Sequence, residues 1–63
     1  MITTEFFKTL KEAEGFQPIC KSRDIFSLDK RGTVKEFNSW LNDAIASERK
    51  GLEGVRAVVV MYR

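Results

Sequence analysis

The segment Ala57-Val58-Val59-Val60-Met61-Tyr62 restricts the possible folds of this chain more than any other. Dense β-branched residues favour a strand over a helix here. Alternation then places Val55, Ala57, Val59 and Met61 on one face, and Arg56, Val58, Val60 and Tyr62 on the other. Both faces are largely apolar, as in a strand covered from both sides. That is a heavy demand on 63 residues. A chain of this size forms one domain, residues 1–63, whose core supplies only ~3–5 kcal/mol.

Few supports from outside the core are open to it. Cys20 is the only cysteine, and the sequence has no histidine. An internal disulfide is therefore excluded, and so is a structural zinc site, which takes about four ligands. Association with a partner or a second copy remains. The start, Met1-Ile2-Thr3-Thr4-Glu5, lacks the basic and apolar regions of a signal peptide, and no apolar run reaches membrane-spanning length. With a lone thiol, this leads to the expectation of a cytoplasmic protein with no membrane contact.

Spacing supplies the elements. Thr3 and Thr4 are possible caps for a helix over residues 4–14, with Phe6, Leu10 and Ala13 on one face, Gly15 ending it and Phe16 folding back on Leu10. Residues 16–20 and 24–28 read as a strand hairpin around Lys21-Ser22-Arg23, the Pro18 strand lying at an edge. Thr33-Val34-Lys35-Glu36 matches a capping box. Val34, Phe37, Trp40, Leu41, Ala44 and Ile45 follow at helical spacing, so a helix spans 34–50 until Gly51 stops it. A last strand covers residues 55–63. The expected fold is α+β in α-β-β-α-β order, a three-stranded sheet packed against two helices. Phe6, Leu10, Phe37, Leu41, Ala44, Ile45 and Val59 are its expected joint core.

Chemistry is sparse. No histidine is available as a base near neutral pH. Glu12 and Glu14, two apart on a helix, diverge. Cys20 reads as a structural thiol. A calcium loop over residues 27–38 would put Arg31 and Asn38 where oxygen ligands and a closing glutamate are required. No catalytic, cofactor or metal site is expected, and the chain reads as a non-enzyme.

Two surfaces are candidates. Lys21, Arg23, Lys30, Arg31 and Lys35 form a basic cluster able to meet phosphates, without an aromatic platform or recognition helix beside it. The apolar outer face of the last strand is the second. The short 21–24 connection favours pairing of the first two strands, pushing the last to an edge, where another chain could join it. Val58, Val60 and Tyr62, with Trp40, are then expected at an interface, and Val60→Lys would separate copies. If the short connection is no hairpin, the last strand lies centrally within one chain.

Residues Thr4 to Phe16, followed by two short strands, resemble the opening of HicA-type toxins, small RNA-cleaving proteins of double-stranded-RNA-binding shape. That family's catalytic histidine has no counterpart here, so the resemblance implies no activity. The expected function is a small protein-binding regulator or inhibitor that occupies a partner's surface, of the kind found among phage accessory proteins. Self-association or a protein partner is favoured over nucleic acid.

Overall fold

A computed structural model describes residues 1–63, with elements β1 (Ile2–Phe7), α1 (Leu10–Gly15), β2 (Ser22–Ser27), α2 (Val34–Ala46) and β3 (Ala57–Tyr62). The fold is α+β with one three-stranded sheet and two helices, in β-α-β-α-β order. The strands lie in the order β1-β3-β2, and β3 is antiparallel to both neighbours. β1 and β2 therefore run parallel to each other as the two edges.

β3 is central, not an edge strand. All five residues from Ala57 to Met61 are buried, and they make up most of the nine buried residues in the chain. Its two faces are served separately. Ala57, Val59 and Met61 pack with Ala13 of α1, joined by Phe7, Phe16, Cys20 and Ile25. Val58 and Val60 pack with Phe37 of α2, joined by Phe6, Phe26 and Leu41 among others. One helix thus lies on each side of the sheet, and the chain meets the two-sided demand of β3 by itself.

The joint core expected from the sequence is consequently divided. Val59 belongs to the α1 side and Phe37 to the α2 side. Ile45 is 58% exposed, because it lies on the solvent side of α2. Phe6, Leu10 and Leu41 are half-buried.

The first segment is a strand where a helix was expected. Ile2, Thr3 and Thr4 are β-branched, and Phe6 and Phe7 must point to opposite faces of a strand. Each ring finds a partner there: Phe6 meets Phe37 edge-on at 6.5 Å, and Phe7 meets Phe16 at 5.2 Å. The helix begins only at Leu10. Thr9 is its cap, accepting from the Glu12 N–H at 3.1 Å while its hydroxyl donates to the Glu12 carboxylate at 3.0 Å. No hairpin forms at residues 16–28 either. Residues 16–21 are irregular, and Phe16 and Cys20 serve as cover for β3. The helix–glycine–hairpin pattern behind the toxin resemblance is absent.

α2 starts where expected, but Thr33 makes no side-chain cap. Its hydroxyl is engaged by β2 instead. It accepts from the Ser27 N–H at 2.9 Å and directs its proton to the carbonyl of Lys30 (2.8 Å) or Ser27 (3.1 Å). Buried Ser27 in turn donates to the Arg56 carbonyl and accepts from the Asp29 N–H at 3.0 Å. Thr33→Val keeps the shape and removes these bonds, leaving a part-buried N–H unpaired. A loss of about 1–3 kcal/mol in urea unfolding is expected. An unchanged midpoint would show that water replaces the hydroxyl.

The helix ends before Gly51. Arg49 N–H bonds Ala44 O at 3.1 Å and Glu48 N–H bonds Ile45 O at 2.9 Å, with Glu48 left-handed at φ 57°. This is a Schellman ending with a glutamate where glycine is usual. It reverses the chain so that the Arg49 side chain reaches back to β1.

Candidate binding surface

α2 lies over β2 and β3 and makes no close backbone approach to β1. The β1 share of that face is therefore open at Ile2 and Thr4. The gap is a groove of about 410 Å³, bounded by Ile2, Thr3 and Thr4 on one side and by Trp40, Asp43, Ala44, Ser47 and Arg49 on the other. Arg49 closes one end. Its Nη1 donates to Thr4 Oγ1 at 2.8 Å, and its guanidinium stands 5.3 Å over the Phe6 ring. Ile2 is 54% exposed and Trp40 is half-buried, so an apolar wall and an aromatic ring meet beside a fixed cation and Asp43.

Of the four residues expected at an interface, Trp40, Val58, Val60 and Tyr62 do share the α2 face. Val58 and Val60 are fully buried beneath it, however, and cannot meet a partner. The reason is the central place of β3. Trp40 and Tyr62 keep partial exposure. Asp24 on the neighbouring strand, through a hydrogen bond to the phenol, pushes the Tyr62 pKa up.

The basic residues are separated. Lys21 precedes β2 while Lys30 and Arg31 follow it, and a six-residue strand spans about 20 Å. Arg23 points to the α1 side, half-buried, with Nη1 shielded from solvent and unpartnered. Lys30 Nζ donates to the Ile25 carbonyl at 3.3 Å. Arg31 and Lys35 are exposed around the start of α2. Beside them Asp29 forms a two-pronged pair with Arg56, both bonds 2.9 Å, and this hydrogen bonding holds its carboxyl below the usual range.

No group of three or more His, Cys, Asp or Glu side chains is placed to hold a metal ion. Cys20 is half-buried beside the Pro18 carbonyl. No helix is long and apolar enough to cross a membrane.

Ile2, Thr3, Thr4 and Arg49 line the groove although none of them was expected at a binding surface. The run of β-branched residues at positions 2–4 was the available signal for an early strand. The chain matches no protein-family model, and no curated protein or solved structure is significantly similar to it.

Proposed function

We propose that this chain is a small, non-enzymatic protein-binding module that acts inside the cell as a regulator or inhibitor, by occupying a partner's surface. The observation that carries this reading is the groove between β1 and α2, where Trp40 and Arg49 stand together beside exposed Ile2. Tryptophan and arginine are the side chains most often responsible for binding energy at protein interfaces. A shallow cleft with an apolar wall, one cation and one carboxylate suits an apolar side chain flanked by polar backbone from a partner protein. The dispersal of the basic residues gives less support to a phosphate-binding role.

Affinity capture from the source cells tests this, comparing the natural chain with Trp40→Ala. One protein should be retained by the natural chain and reduced at least ~10-fold by the variant, as for a hot-spot residue. Circular dichroism checks that the variant is folded. Equal retention by both would reject the groove. Recovery of nucleic acid that is lost as salt rises would reject the protein-binding reading.

A further inference from the structure

The two edges of the sheet are not treated alike. Antiparallel pairing alternates, so every second residue of an edge strand turns its N–H and C=O away from the sheet. In β2 the bond from Leu28 N–H to Arg56 O fixes Arg23, Ile25 and Ser27 as the outward residues. That edge is closed along its Ser27 half: Thr33 accepts from the Ser27 N–H, the Lys30 N–H bonds the Ser27 carbonyl, and the Lys30 side chain holds the Ile25 carbonyl. In β1 the bond from Arg63 N–H to Met1 O makes Ile2, Thr4 and Phe6 the outward residues. No side chain reaches their backbone groups. β1 also has no proline and only Glu5 as a charge, so it lacks the usual protections of an edge.

We infer that β1 pairs with β1 of a second copy, antiparallel about a two-fold axis at Thr4, joining two sheets into one of six strands. The register follows from the sequence. With Thr4 opposite Thr4 of the partner copy, Ile2 faces Phe6 and Phe6 faces Ile2, and all outward residues pair, giving about six backbone hydrogen bonds. A shift that puts Thr3 on the axis loses the Phe6 pairs. A shift that puts Glu5 on the axis sets two like charges directly opposite, which is unfavourable.

Side chains on both faces agree with the Thr4 register. On the α2 side, exposed Ile2 meets the ring of Phe6. On the α1 side Glu5 falls opposite Thr3 of the other copy, whose hydroxyl already accepts from Arg63 Nε at 3.3 Å. Each Glu5 carboxylate thereby meets an Arg63 guanidinium across the junction, twice by symmetry. One contribution opposes pairing: the two Arg49 side chains approach each other beside Thr4, with Asp43 in each groove as counter-charge. A junction of one short strand per copy is small, so dissociation in about the micromolar range is expected.

Cysteine trapping in a Cys20→Ser background tests the register. Thr4→Cys should link to itself, since hydrogen-bonded pairs stand about 5.5 Å apart between Cα atoms, within disulfide reach. Thr3→Cys and Glu5→Cys should link to each other when mixed and not to themselves. Sedimentation should show the natural chain passing to twice its single-chain mass with rising concentration. Glu5→Lys, a change made twice across the axis, should weaken this about 10-fold. Thr4→Pro, which removes an outward N–H that the sheet does not use, should leave a folded monomer. Trp40→Ala should leave the dimer intact, so loss of partner capture and loss of pairing are separately readable. A single-chain mass at millimolar concentration, or Thr3→Cys linking to itself, would overturn the inference.

Discussion

Val60→Lys is expected to leave the chain unfolded. Val60 is fully inaccessible, paired with Thr4 on one side and Asp24 on the other, and covered by α2. The carboxylate opposite it on β2, Asp24, is exposed. An ammonium group placed there loses its hydration without a buried partner, at an effective cost of several kcal/mol. That matches or exceeds the ~3–5 kcal/mol available to a domain of this size. Far-UV circular dichroism should show loss of the sheet, with no cooperative urea transition. A variant that unfolds cooperatively with an unchanged m-value would mean that β3 is not enclosed. The edge-strand reading gave the opposite expectation, a folded monomer, so one measurement separates the two topologies.

Phe37→Ala is expected to be nearly as damaging. Phe37 is the largest fully buried side chain, set between the sheet and α2 with the Phe6 ring against its edge. Removing a buried phenyl ring typically costs ~3–5 kcal/mol, part of it from the cavity left behind. Small domains collapse poorly around such a void, because few neighbours can move into it. Leu41→Ala, on the same helix but half-buried, should cost less than the ~2–5 kcal/mol of a fully buried leucine. Urea midpoints should therefore fall in the order natural chain, Leu41→Ala, Phe37→Ala. The reverse order would show that α2 is rotated about its axis relative to the sheet.

The parts of the fold that were legible in the sequence are those with long or dense patterns. α2 shows six apolar residues at helical spacing, and β3 shows three consecutive valines; both were placed to within a few residues. The first third was not legible because its pattern satisfies two periods. Phe6, Leu10 and Ala13 share a helical face, yet Phe6 and Phe7 fit a strand equally well, and only the aromatic partners across the sheet decide between them. Cap chemistry was ambiguous for a related reason. The pattern Thr-x-x-Glu occurs at Thr9–Glu12 and at Thr33–Glu36, and the side-chain cap forms at the first because the hydroxyl of Thr33 is taken by β2. Trp40 was expected at an interface only as a companion of the last strand, and it lines the groove beside β1 instead. Arg49 could not be foreseen there, since its position depends on a left-handed glutamate that no local preference announces.

The place of β3 at the centre of the sheet also shapes how the chain folds. β1 and β2 never pair with each other; each bonds only to the strand nearest the C-terminal end of the described chain. The partner of Ile2 is Tyr62, so one side of the sheet closes a loop spanning almost the whole sequence. During synthesis, nothing made before β3 has a sheet to join, and only the two helices can form early. Short isolated helices are marginal in water, and α1 has six residues. The sheet is therefore expected to form late and as a unit, more slowly than a fold built from local contacts. Until β3 leaves the ribosome, Phe6, Phe26 and Phe37 have no valines to cover, and the nascent chain carries its future core exposed.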